Sequence, residues 1–163
     1  MKQLLSILIM VLLTGSQTSA QKILLKIGSV TAAGGEEVRA VDFKFDNPSI
    51  VSGGAGHTSG KVEASDLMIK KTNNTSTNDL FKKVLNGSHY PEVKLEYYDN
   101  ANALYFTITL KDVLVTQFYW LSPECPTCLK LEHQVAFAPL IIESLDGATG
   151  VKVTYNFATN VVN

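Results

Sequence analysis

Cysteine is nearly missing from this 163-residue chain: Cys125 and Cys128 are the only two. A disulfide-dense scaffold is thereby excluded. Histidine is almost as scarce. His57, His89 and His133 are the only three, and they lack the paired spacing of a metal site. Charge of one sign is lacking as well, with Lys+Arg 14 against Asp+Glu 15 and a sequence pI of about 6.3. Lysines alternate with carboxylates and no basic block forms, which argues against a nucleic-acid partner. The longest apolar run, Leu4 to Leu13, is too short to span a bilayer as a stable helix. No Ser-His-Asp or Cys-His set can be assembled from spacing, and the carboxylates are scattered rather than paired. The residues therefore predict no enzyme, no cofactor and no metal. Gly53-Gly54-Ala55-Gly56 is glycine-rich, but no Lys-Ser/Thr follows and no helix opens there, so it does not resemble a phosphate-binding loop. Internal repeats and linkers are absent too, which predicts one domain.

What the chain does contain begins with a leader. Lys2 is a positive start, Leu4 to Leu13 an apolar core, and Thr18-Ser19-Ala20 a small-residue cleavage site. Residues 1–20 thus read as a secretory signal peptide, cut after Ala20. The domain is then 21–163, secreted or periplasmic, with no membrane span after cleavage.

The remainder, with 45% hydrophobic and 18% charged residues in the whole chain, suits one globular core. Ile23, Leu25 and Ile27 alternate with their neighbours, as do Val41, Phe43 and Phe45, a two-residue period that predicts strands. Pro48 ends the second, and residues 49–59 read as a flexible loop. Val62 and Ala64 share one parity and Leu67 and Ile69 the other, which predicts a strand with a bulge near Ser65 and Asp66. Ser76 followed by Asp79 gives a capping-box pattern. Leu80, Phe81, Val84 and Leu85 then fall at helical spacing, and Gly87 stands where a helix ends. The predicted helix, 79–86, lies on the outside of the domain and buries Leu80, Val84 and Leu85. Val93, Leu95 and Tyr97 open another strand. Asp99 to Ala103 makes a tight turn, and a strand with uncertain phase near Asp112 runs to about Trp120. Leu129 to Phe137 alternates again, Pro139 interrupts, Leu140 to Ile142 reads as a short extra strand, and Val151 to Phe157 is the last. Many strands and one short helix predict a mainly β domain: a barrel of two packed antiparallel sheets with one short α-helix.

The order of the central motifs resembles a known family. Gly60-Lys61-Val62, Asp66-Leu67, Lys71, Ser76-Thr77, Leu80, and then Gly87, His89-Tyr90-Pro91 and Val93-Lys94-Leu95 are similar to the Hcp family, the haemolysin-coregulated proteins of bacterial type VI secretion. The likeness extends to Ile23–Ser29, Ile108–Val115, Glu132–Ala138 and Val151–Asn156, and so covers nearly the whole mature chain. It implies subunits that form hexameric rings. Those rings stack into a tube that carries effectors, docks a spike at its tip and is driven by a contractile sheath. It also implies that the loop holding Gly53, Gly54 and Gly56 reaches a neighbouring subunit or ring. His89 and His133 read as packed residues.

Cys125-Pro126-Thr127-Cys128 departs from that family. A C-x-x-C pair is a redox centre when it opens a helix, because the helix N-terminus lowers the first thiol's pKa. Strand periodicity follows here, so a disulfide bracing a turn is the expectation, and a thiol-disulfide redox protein the alternative. A secreted Hcp-like binding module that builds no tube is a further alternative.

Overall fold

The computed structural model describes residues 21–51, 57–59, 61–122 and 131–163. The leader (1–20), Gly53, Gly54, Gly56, Gly60, Cys125 and Cys128 lie outside the described residues. In chain order the elements are β1 (Lys22–Lys26), β2 (Glu36–Val38), β3 (Ala40–Asp42), β4 (Phe45–Asp46), β5 (Ser49–Val51), β6 (His57–Ser59), β7 (Glu63–Ala64) and β8 (Leu67–Thr72). Then come α1 (Thr77–Asn86), β9 (His89–Tyr98), β10 (Leu104–Leu121), β11 (Glu132–Asp146), β12 (Lys152–Asn156) and β13 (Val161–Val162). The fold is mainly β with one short helix among the described residues, as the alternating periods predict.

Nine strands share one antiparallel sheet whose main path runs β13-β12-β11-β10-β9-β1-β2. β11 is long enough to take two partners along one edge: residues 132–137 pair with β8, and residues 141–145 with β12. β3 then pairs with the far side of β8. Among the described residues the sheet does not close into the expected barrel. β2 pairs with β1 and β3 with β8, and the chain turns between these partners at Arg39, whose N–H donates to the Lys70 carbonyl at 2.8 Å. The covalent chain, not a hydrogen-bonded ladder, bridges that gap.

The core draws on both halves of this sheet. Leu25, Val93, Leu95 and Leu110 come from one side, and Leu67, Ile69, Val135 and Phe137 from the other, all fully buried. Each such side chain stabilises the fold by roughly 1.5–3 kcal/mol. α1 packs on β10. Its Leu80 is fully buried and Val84 half-buried, but Leu85 is 70% exposed, so the expected three-residue face is narrower. Gly87 ends the helix in the left-handed region (φ 64°), and its N–H donates to Lys83 O at 3.0 Å, the arrangement a C′ glycine permits.

Other expectations are corrected locally. Residues 62–69 are not one bulged strand: β7 pairs with β4, β8 belongs to the large sheet, and Ser65 turns between them by accepting the N–H of Lys44 (3.0 Å). Strand pairing continues beyond Pro48, because β5 pairs with β6, so residues 49–51 and 57–59 are paired strands rather than loop. Pro139 does not break β11. It falls where that edge changes partner from β8 to β12, a position tolerant of a residue without an N–H. Asp112 adopts φ 49°, which accounts for the uncertain phase there. The turn after β11 needs Gly147, since a Cβ would stand 2.9 Å from the Leu104 carbonyl oxygen.

Candidate functional site: a closed polar centre and an open apolar rim

Two regions stand apart chemically. The first lies where β2, β8 and the start of α1 meet. Glu36 has the inward parity of Val38 and pairs in register with buried Leu25. Lys71 has the inward parity of Leu67 and Ile69. Both charges are therefore carried into the core by strands. Lys71 is fully buried, and its Nζ donates to Glu36 Oε2 (2.5 Å), Asn74 Oδ1 (2.5 Å) and Ser76 Oγ (2.6 Å). All three protons of its ammonium are used. Ser76 donates its hydroxyl to Glu36 Oε2 (2.5 Å) and its backbone N–H to Glu36 Oε1 (3.1 Å). Burial pulls the Lys71 pKa below its ordinary value, and the Glu36 carboxylate opposes that pull.

The capping-box expectation fails for the same reason. Ser76 stands at the N-cap but its side chain makes no cap bond. It is drawn to Glu36 and Lys71 instead. Asp79 accepts the hydroxyl of buried Tyr90 (2.5 Å), tying α1 to β9.

His133 adjoins this centre, opposite Lys71 in the β8–β11 ladder. It is fully buried, stacks on Phe118 (centroids 4.9 Å apart, 14°) and meets Trp120 edge-on. Nδ1 lies 3.0 Å from Asn73 Oδ1, and Nε2 has no partner. Burial and the nearby Lys71 push its pKa down to about 4. The packed role expected for it holds. His89 differs: it is exposed and bonds Asp112 (2.8 Å), and only its backbone carbonyl, accepting from Lys83 Nζ at 3.3 Å, joins helix to strand.

The remaining motif residues are dispersed. Leu67 is core, Asp66 accepts the Thr116 hydroxyl, Lys94 reaches Glu92 (3.4 Å), and Lys61 and Pro91 are exposed, with Val62 half-buried against the core. Their order along the chain marks the fold; they do not converge on one site. Glu36, which completes the polar centre, escapes sequence reading. Its only signal is a carboxylate at an inward position of a three-residue strand.

The second region is the rim beside the β4–β7 pair. Phe43 and Phe45 pack together (4.4 Å between centroids), Phe45 stacks on Phe157 (6.5 Å), and Phe157 meets Tyr155 edge-on (4.8 Å). Phe43, Phe45 and Tyr155 line an apolar groove of about 300 Å³ together with Phe106, Ile108 and Ile142. Val153 lines it too, and Val151, Val153, Val161 and Val162 are exposed, the last at 63%. β13, two residues long, ends the sheet here. The Lys44–Ser65 bonds and the β4–β7 pairs join the two ends of the segment between them.

Comparison with solved structures finds this fold repeatedly. Hcp1 from Salmonella typhimurium is 19% identical, with TM-score 0.73, over 88% of this chain and 99% of that one. A structure described as a type six secretion system protein is 16% identical, with TM-score 0.76, over 88% and 100%. The baseplate of the anti-feeding prophage contains a chain 12% identical, with TM-score 0.54, over 82% and 97%. No curated protein matches the sequence. Residues 19–155 match the family model described as type VI secretion system effector, Hcp, and the chain belongs to that family.

Proposed function

We propose that this protein is a non-catalytic, tube-forming structural subunit of a type VI secretion system. Its copies close into rings, six to a ring as the family resemblance implies, and the rings stack. The observation that carries this reading is the open rim: an apolar groove, four exposed valines and the β4–β7 and β5–β6 strand pairs that stand outside the large sheet. Exposed apolar patches of this kind mark interaction sites, and sheet edges beside them accept a further strand. The segment between β4 and β7, whose sequence includes Gly53, Gly54 and Gly56, is the element proposed to reach a neighbouring subunit or ring. Spike, sheath and effector proteins are the further partners. Multi-angle light scattering of residues 21–163 tests the reading. Rings are expected; monomer alone at high concentration overturns it and leaves a binding module.

The leader supports an exported form. With residues 1–20 removed, the mature chain starts at Gln21 and is secreted or periplasmic, where Cys125 and Cys128 form one disulfide. N-terminal sequencing of the protein from its own cells tests this: an intact Met1 on cytoplasmic protein overturns it, and two free thiols in the native protein overturn the disulfide.

A further inference from the structure

The most unusual chemistry in the described residues is the contact between Lys71 and Asn74. An amine and a carboxamide seldom meet inside a protein beside a carboxylate that can carry protons between them. Here Lys71 Nζ lies 2.5 Å from Asn74 Oδ1 and 2.5 Å from Glu36 Oε2, with Ser76 Oγ 2.6 Å away on a third side. Lys71 and Ser76 are fully buried and Glu36 nearly so. Asn74 lies at the edge of the cluster, exposed to solvent on its other side, so a released small molecule has a way out.

We propose that Lys71 and Asn74 become joined by an intramolecular isopeptide bond, formed without any other enzyme and with Glu36 as the proton carrier. Glu36 takes a proton from the Lys71 ammonium, and the free amine attacks Asn74 Cγ. Negative charge gathers on Oδ1, and the Ser76 hydroxyl, 3.4 Å away, turns its single proton to it from Glu36 once Glu36 is protonated. The Nζ–Cγ bond forms and the Cγ–Nδ2 bond breaks. Of the three ammonium protons, one stays on the new amide, one leaves with Nδ2 as ammonia, and one remains on Glu36. Nothing is oxidised or reduced.

Burial favours each part of this step. A dry site disfavours the charged Lys–Glu pair relative to amine and carboxylic acid, and burial already lowers the Lys71 pKa. Backbone geometry holds the reactants together beforehand, which lowers the entropic barrier to attack. The product exchanges a buried ammonium for a neutral amide and fastens the end of β8 to the entrance of α1.

The test is the mass of the folded full-length protein, followed by peptide mapping. The expected result is a loss of about 17 Da, one ammonia, confined to a peptide that contains both residues and that trypsin does not cut at Lys71. Mapping separates this from ammonia lost at Gln21 or at Asn86-Gly87. Resistance to mild alkali separates it from a succinimide at Asn74 itself. Asn74→Asp should lose about 18 Da, one water, instead. Lys71→Arg, which keeps the cation, and Glu36→Gln, which removes the proton carrier, should both show the unmodified mass. A wild-type protein of full sequence mass, with a Lys71 amine that reacts with an acylating reagent after denaturation, overturns the proposal.

Discussion

The Lys71 centre and the Phe45 rim use opposite materials. In the centre, polar groups are buried and nearly every one has a partner; Lys71 alone engages Glu36, Asn74 and Ser76. At the rim, apolar groups are exposed: Val153 and Val162 face solvent, as does part of Phe45 beside its ring contacts with Phe43 and Phe157. A buried ion network adds little net stability but is costly to leave half-satisfied, so the centre fixes how the helix sits on the sheet. An exposed apolar rim costs little to leave open and gains when a partner covers it. One region specifies the subunit; the other is suited to joining subunits.

The largest effect should come from breaking the helix seat. Leu80→Asp places a charge in a fully buried position and should unfold or badly loosen the domain. Leu85→Asp, on the same helix but 70% exposed, should change stability by less than about 0.5 kcal/mol. Thermal melting of the two variants side by side checks this contrast.

Next in size is Lys71→Met, which removes the shared partner of Glu36 and Ser76. Removing one partner of a buried pair costs about 3–5 kcal/mol, read by chemical denaturation. The double variant with Glu36→Gln should cost less than the two single changes added together, because the buried charge then disappears as well.

A pH effect of about 3 kcal/mol should follow from His133. When folded it binds a proton only near pH 4; when unfolded it does so near 6.5. Between those values the unfolded chain holds more protons, so stability falls as pH drops from about 6.5 towards 4. Measured stability that is flat across this window in wild type, or a slope retained in His133→Leu, would contradict the assignment.

The smallest effect on the monomer is expected at the rim. Val153→Glu should leave stability within about 0.5 kcal/mol, as surface changes usually do, while weakening self-association.

Legibility from sequence divides along the same line as the two regions. Apolar residues recur every second position in β9 and β11, so Val93, Leu95, Val135 and Phe137 could be read as core, although β11 also buries Ala136 between the last two. The helix end at Gly87 was legible because only a left-handed residue fits there. What the sequence hid are long-range choices. Ser76 looked like a cap because its partner, Glu36, lies 40 residues away. Leu85 looked buried because periodicity marks a face without showing how much of it the sheet covers. β11 looked broken because Pro139 normally ends pairing, and nothing local reveals that two strands share that edge. β5 and β6 looked like loop because they are three residues each, too short for a period to register.

The central claim is that the open rim exists to join copies of this chain. Light scattering of residues 21–163 over a wide concentration range, beside Val153→Glu, tests it most directly. Rings should form in the wild type and give way to folded monomers in the variant, with unchanged thermal melting. A wild type that stays monomeric throughout, or a variant that assembles as well as the wild type, would contradict it.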